Sequence, residues 1–303
     1  MPRKIPSRAM TATVVINPSV GDAVAHAVRR AAEARDGFEV VQSPGGADPI
    51  AALAEVARRA GDLLIVAGGD GSVHAAANAL ATLDDPPRLG VLPAGSGNDF
   101  AAGLNLPREP AAYFDALESA RPVPTDLIEL KAAGLDAPVM AINAVTAGLS
   151  RLIHEQLDDQ TKAAWGRFSY ARAAAEVFRA APDHRLEIDL GTRTLRETAV
   201  VVAIFNGVSV GGVRMGGFQQ IDDGLMDLVR VDATTTPVRL RAAAAFVSTD
   251  FRSDPSVRHD AVTEVRSLHA DPPLEFVVDG EPKGRTPASF TVRPAAMEVL
   301  AAS

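Results

Sequence analysis

The chain has 303 residues, 47% hydrophobic and 22% charged, which is enough apolar material for a full core and for two domains. Its net charge of −8 is spread evenly, with 11 basic and 15 acidic side chains over 1–126 and 19 and 23 beyond. No stretch therefore offers the basic excess that duplex nucleic acid needs, and nucleic acid is not expected as a partner. With no cysteine the chain lacks disulfides, thiolate metal sites and cysteine nucleophiles, so any metal must be held by oxygen or histidine.

Residues 1–10 carry Arg3, Lys4 and Arg8 with no apolar stretch behind them, which reads as a flexible tail and not as a secretory signal. No window approaches the roughly 20 uninterrupted apolar residues of a membrane span, so the chain reads as soluble or at most peripheral to a membrane. From 12 to 120 strand and helix patterns alternate. A strand at 12–16 precedes a helix at 22–35, with Val24, Ala27, Val28 and Ala31 at helical spacing. A strand at 38–41 precedes a helix at 49–60, capped by Asp48, begun at Pro49 and stopped by Gly61. A strand at 63–67 with a helix at 72–83, and a strand at 89–92 with a helix after Asn98, complete four units. Such alternation predicts a parallel sheet covered by helices, with ligands at the carboxyl ends of the strands.

Past Pro122-Val123-Pro124 the pattern changes to short strands joined by turns, at 123–130, 139–145, 185–190, 193–205, 226–231, 274–278, 289–292 and 297–300, with helices expected at 161–181 and 236–251. The fold class is thus α/β in two domains: 11–125 with a parallel sheet, and 126–303, β-rich and mostly antiparallel.

Three glycine-centred turns end strands of the first half. Gly68-Gly69-Asp70-Gly71-Ser72 follows the third, Asn17-Pro18-Ser19-Val20-Gly21 the first, and Gly95-Ser96-Gly97-Asn98-Asp99-Phe100 the fourth. Glycines let backbone N–H groups converge on an anion, and a following helix adds its positive end. Asp70 does not suit a passive anion cradle, because a carboxylate beside a phosphate repels it unless it works through a cation or takes a proton. The junction points to metal-assisted phosphoryl transfer. Gly95-Ser96-Gly97 lacks the spaced glycines of a hydrolase nucleophile elbow.

In this ordered combination the chain resembles the diacylglycerol kinase catalytic domain family, the bacterial soluble lipid kinases related to sphingosine and ceramide kinases. Ser72 and Ser96 stand where that family usually has threonine, which keeps the hydroxyl, and Val20 separates Ser19 from Gly21, which the family usually has adjacent. The resemblance implies that Asn17, Pro18, Ser19, Gly21, Ser43, Gly68, Gly69, Asp70, Gly71, Ser72, Gly95, Ser96, Asn98, Asp99 and Asp126 bind ATP and its Mg²⁺, Asp126 through water. It extends to Asn143 and Gly148, to Phe205-Asn206-Gly207, and to Ile221-Asp222-Asp223-Gly224-Leu225-Met226-Asp227. In bacterial members the last element holds a structural Mg²⁺, here implied at Asp223 with the carbonyls of Gln220 and Leu225; without the resemblance it reads as a solvated turn.

Val277-Val278-Asp279-Gly280-Glu281 matches the place of the family's catalytic base. Alone it reads as a hairpin turn with exposed acids, and the two readings are compatible. Asp279 and Glu281 are both carried, Glu281 being favoured. The implied enzyme is an ATP-dependent lipid kinase with its active site between two domains of a fold shared with NAD kinases. Its partners are ATP and a diacylglycerol-like or sphingoid-like lipid, with transient peripheral membrane contact, a cytoplasmic location and a homodimer left open. An NAD kinase-like enzyme and a silent nucleotide-binding module remain alternatives; Asn206 and Asp223 favour the lipid branch. His74 and His154 read as packed or solvated. Trp165, Phe168, Tyr170 and Phe178, with Lys162, Arg167, Arg172 and Arg179, read first as a helix packed on the sheet and second as a lipid-facing surface.

Overall fold

The computed structural model describes residues 11–44, 48–95, 97–148, 179, 181–206, 209–210, 213–214, 220–232, 235–246 and 254–302. Contacts divide the chain into two compact units, Met1–Thr125 with Ala296–Ser303, and Asp126–Ala295.

The first unit is built on strands β1 (Ala12–Ile16), β2 (Phe38–Gln42), β3 (Leu63–Gly68) and β4 (Arg88–Pro93). They pair in parallel in the order β2-β1-β3-β4. All of β1 and β3 is buried, as expected of parallel strands covered on both faces, whereas β2, at the edge, is only half-buried. Helices α1 (Asp22–Glu33), α2 (Pro49–Ala57), α3 (Asp70–Leu80), α4 (Asp99–Leu104) and α5 (Pro110–Ala116) follow the strands. The Asp48 side chain accepts the Ala51 N–H at 2.9 Å with Pro49 next in the chain, the cap read from the sequence. Glu109 caps α5 in the same way through Ala112. Helix α3 begins two residues before the expected Ser72, so Asp70 and Gly71 lie inside its first turn.

The second unit is antiparallel. Strands β5 (Arg121–Ala133), β6 (Val139–Ala141), β7 (Ala144–Ala147), β8 (His184–Asp189), β9 (Thr194–Ala199) and β10 (Val201–Phe205) precede the short β11 (Ser209–Val210) and β12 (Val213–Arg214). Then come β13 (Met226–Val231), α6 (Thr236–Phe246), β14 (Val257–Val262), β15 (Glu264–Asp271), β16 (Glu275–Val278) and β17 (Glu281–Ala301). The main order is β14-β13-β10-β7-β16-β17; β15 joins β17 to β8 and β9, and β5 joins β17 to β6. Phe276 and Phe290, edge to face at 5.5 Å, sit in a core with Ile128, Val145, Ile204 and Leu268. No helix among the described residues is long and apolar enough to cross a membrane.

Several boundaries differ from the sequence reading for identifiable reasons. The stretch 193–205 is two strands, because Val200, fully buried, gives its N–H to Val231 where the chain passes from pairing with β8 to pairing with β13. The stretch 139–145 breaks at 142–143, whose N–H groups go to the Asp279 carboxylate and whose carbonyls accept from the side chain and main chain of Asn206. The expected strands at 289–292 and 297–300 belong to one, β17, which bends at Ala295 (φ 48°) and pairs beyond it with β4 through Val299 and Leu89. Its end lies in the first unit, a return that the reading of 126–303 as one stretch does not contain. Strands β14 and β15 escaped that reading because their apolar residues alternate with charged ones. The helix expected at 161–181, with its aromatic and basic residues, and His154 lie outside the described residues apart from 179 and 181.

Candidate active site

In the order β2-β1-β3-β4 the chain turns one way after β1 and the other way to reach β3, so the helices that follow β1 and β3 diverge and leave a crevice at the strands' carboxyl ends. Asn17 leaves β1 there and Gly68–Ser72 leaves β3. The Asn17 carboxamide joins the two turns: Oδ1 accepts the Ser19 N–H at 2.8 Å, and Nδ2 donates to Ser72 Oγ at 2.6 Å. Val20 turns inward, buried, with its N–H on the Asn17 carbonyl, and this leaves Gly21 as the cap of α1 beside exposed Pro18 and Ser19. Ser43, just past β2, gives its N–H to the Ile16 carbonyl at 2.8 Å, which sets it beside the same turn.

The β3 and β4 turns touch through their main chains. A Cβ on Gly95 would lie 2.4 Å from the Gly69 Cα, main chain that cannot give way, so this position admits glycine alone, and one on Gly97 would lie 2.5 Å from Asp70 Oδ2 and displace that carboxylate. Asn98, left-handed at φ 61°, folds its carboxamide back onto Gly95: Oδ1 accepts the Gly95 N–H at 3.0 Å and Nδ2 donates to its carbonyl. Ser96 lies outside the described residues. The first-turn amides of α3 at Asp70 and Gly71 have no intrahelical acceptor and suit an anion.

Asp70 is half-buried at this junction, and the Phe100 N–H approaches its Oδ1 at 3.4 Å. Burial, and after it the neighbouring Asp99 charge, push its carboxyl above the ordinary value of 3.8, against the backbone N–H groups of 98–100. A carboxylate held at that disadvantage is a ready partner for a divalent cation, and oxygen donors from Asp70 and Asp99 fit Mg²⁺ chemistry. His74, on α3, is buried and bonded within the helix through Asn78, as a packed histidine should be.

The other acids belong to the second unit. Asp126 is buried; its Oδ2 accepts the Gly224 N–H at 2.6 Å and its Oδ1 the Ala295 N–H at 2.7 Å, while its main chain bonds to Ile221 and Asn206. Asp223 closes the adjacent loop by accepting the N–H groups of Gln220 at 3.1 Å and Leu225 at 3.0 Å. Gln220, Asp223 and Leu225 are thereby drawn together, one carboxylate and two carbonyls, a donor set that suits a hard cation. The Asp279 carboxylate accepts three N–H groups, from Ile142, Asn143 and Ala144. Glu281 is exposed, its Oε2 3.2 Å from Lys283 Nζ. Asn206, which sequence reading names only as part of the resemblance, donates its Nδ2 to both the Asp126 and the Ile142 carbonyls. The signal was an asparagine closing the wholly apolar strand 201–205.

Two family models match the chain: the diacylglycerol kinase catalytic domain over residues 11–130, and the YegS C-terminal NAD kinase beta sandwich-like domain over 143–301. The chain belongs to the diacylglycerol kinase family of ATP-dependent lipid kinases. A relative in Yersinia pestis (strain Pestoides F), named "Probable lipid kinase YegS-like", is 30% identical over 232 residues, 75% of either chain. The diacylglycerol kinase of Bacillus subtilis (strain 168) is 26% identical over 244 residues, 80% of this chain and 78% of that one. A crystal structure of a diacylglycerol kinase from Bacillus anthracis str. Sterne shares the fold, with a TM-score of 0.72 at 19% identity over 96% of each chain. A second structure from that strain reaches a TM-score of 0.77 at 21% identity over 96% and 97%.

Proposed function

We propose that the protein transfers the γ-phosphoryl of ATP to the free hydroxyl of a diacylglycerol. The observation that carries this reading is the meeting of three strand-end turns around Asp70, a carboxylate that the fold holds at a disadvantage beside open helix-start amides. The diacylglycerol kinase of Bacillus subtilis supports this choice of acceptor.

The turns at Asn17–Gly21, Gly68–Ser72 and Gly95–Asp99, with Ser43, hold the phosphates through backbone amides and hydroxyls. Asp70 and Asp99, with Asp126 through water, orient the nucleotide's Mg²⁺, which when bound offsets negative charge on the transferring group. Glu281 accepts the acceptor's hydroxyl proton as the lipid oxygen bonds to the γ-phosphorus and the bond to the leaving ADP oxygen breaks. Little else is asked of the protein, because phosphoryl transfer is mostly a matter of position and charge. Gln220, Asp223 and Leu225 would hold a second, structural Mg²⁺ through one carboxylate and two carbonyls. The enzyme works in the cytoplasm and touches the membrane transiently to collect its acceptor.

The test is incubation with γ-labelled ATP and Mg²⁺ against dioctanoylglycerol in mixed micelles, sphingosine, NAD and a total membrane lipid extract. Label on dioctanoylglycerol and on extract lipids with a free hydroxyl is expected. Label on NAD alone, or tight ATP binding with no transfer to any acceptor, would overturn the proposal.

A further inference from the structure

From the end of β6 into the first residue of β7 the chain runs through Ile142, Asn143 and Ala144, whose main-chain polar groups are all taken up by two other residues. The N–H of Ile142 goes to Asp279 Oδ2 at 3.0 Å, and those of Asn143 and Ala144 to Asp279 Oδ1, each at 2.9 Å. The carbonyl of Ile142 accepts from Asn206 Nδ2, that of Asn143 from the Asn206 N–H, and that of Ala144 from the Asp279 N–H, each at 2.9 Å. Asn206 and Asp279 thus replace, over 142–144, the ladder that a continuous strand would have made.

Asp279 stands in the tight turn between β16 and β17. Asp279 and Gly280 both have positive φ, 47° and 94°, and Val278 pairs with Glu281 across them, the geometry of a two-residue hairpin with primed twist. A carboxylate offers about four lone-pair directions, and three here are filled by amides, whereas a general base needs one aimed at its substrate. Glu281, two residues on, is exposed and among the described residues meets the neighbouring Lys283 ammonium.

We propose that Asp279 is a positioning residue, a latch that fixes the Glu281 turn to the 142–144 segment and takes no proton in the reaction. This rests on the reading of Glu281 as the base and divides the work of two acids that the sequence leaves together. The latch needs an ionised, two-oxygen acceptor. An amide in its place presents one acceptor oxygen and turns an NH₂ group toward N–H donors.

The experiment compares Asp279→Asn with Glu281→Gln by amide hydrogen exchange over 142–144 and by the pH dependence of kcat with dioctanoylglycerol and Mg²⁺-ATP. For Asp279→Asn, exchange at 142–144 should quicken by about tenfold or more, the loss of hydrogen bonds to a charged acceptor. Its kcat should fall by about 10²-fold, as for a misplaced group, with the acidic limb of the profile where the wild type has it. For Glu281→Gln, exchange should stay at the wild-type rate, while kcat falls by about 10²–10⁴-fold and the acidic limb disappears. If Asp279→Asn is too unstable to study, Asp279→Glu, which keeps the charge but displaces it, should show the same signature at smaller amplitude. Wild-type exchange at 142–144 in the Asp279 variants, or loss of the acidic limb in them and not in Glu281→Gln, would overturn the latch. Faster exchange in Asp279→Asn with an unchanged profile in Glu281→Gln would keep the latch and overturn Glu281 as the base.

Discussion

The two units hold their acids in opposite ways. In the first, the strand-end turns meet through glycine backbones, and Asp70 is carried at a cost, its carboxyl pushed up by burial and by Asp99. In the second, Asp126 and Asp279 accept main-chain N–H groups on both oxygens and so knit their surroundings together. An acid that weakens the fold has its use in binding or chemistry, whereas an acid saturated with amides serves the fold first. Glu281, exposed on its turn, is the second unit's exception, and it is the acid assigned to chemistry.

Asp70→Asn tests this contrast most severely. Turnover should fall by about 10²–10³-fold, the scale for removing one preorganised electrostatic partner. Stability at neutral pH should not fall, and a small gain is expected. A carboxyl raised in the folded state binds protons there more readily than in the unfolded chain, so its contribution worsens as pH rises from 3.8 through the folded value and stays unfavourable above it. Asparagine does not ionise and escapes that cost. Urea denaturation at pH 7 with parallel kinetics checks both halves; a clear loss of stability with normal turnover would reverse the roles assigned to the two units.

Asn206→Ala should do the opposite. It leaves the carbonyls of Asp126 and Ile142 without their side-chain donor, at about 1–3 kcal/mol for buried groups. The lower part of that range is expected, because the buried Asn206 Oδ1 has no partner among the described residues and its removal recovers some of the loss. The KM for ATP should change little, since the turns proposed to hold the phosphates belong to the first unit and Asn206 bonds the main chain of Asp126, not its carboxylate. Unchanged denaturation, or a raised KM for ATP without destabilisation, would count against Asn206 as a structural hub.

The first unit was the more legible in sequence. Its inner strands are largely apolar runs, Asp48 and Pro49 announce their helix, and the glycine turns mark where strands end. What could not be read was distance: that a Cβ at Gly95 would collide with Gly69, or that Asn17 reaches Ser72, 55 residues along the chain. The second unit hid more, because its key bonds join residues far apart in sequence, Asp279 to 142–144 and Asn206 to Asp126. Asp279-Gly280 reads as a turn, which it is, but a turn sequence does not tell where its side chain points. The break at 142–143 follows from the same bonds, and its one local sign is Asn143, a lone polar residue in an apolar run, which by itself does not mark a break.

Glu129 supplies the smallest and most diagnostic effect, because its titration runs against that of Asp70. On β5, almost fully buried, it is bonded by Arg293 at 2.6 Å and Lys131 at 3.2 Å. Burial alone would raise its carboxyl, but the bonds and charges of the two cations outweigh it and hold it below 4.5. Its folded value lies under the unfolded one, so its stabilisation is complete above 4.5 and is lost as pH falls through the lowered value. Both cations are more than half exposed, which limits the contribution to under about 1 kcal/mol. Glu129→Gln should therefore be slightly less stable than the wild type near neutrality, and the difference should shrink as acid protonates the wild-type carboxylate. Asp70→Asn should show a gain that also fades in acid, from the other side of zero. Denaturation midpoints of the two variants across pH 3–7 would show the pair converging on the wild type in acid; a difference for Glu129→Gln that ignores pH would assign that residue's worth to packing alone.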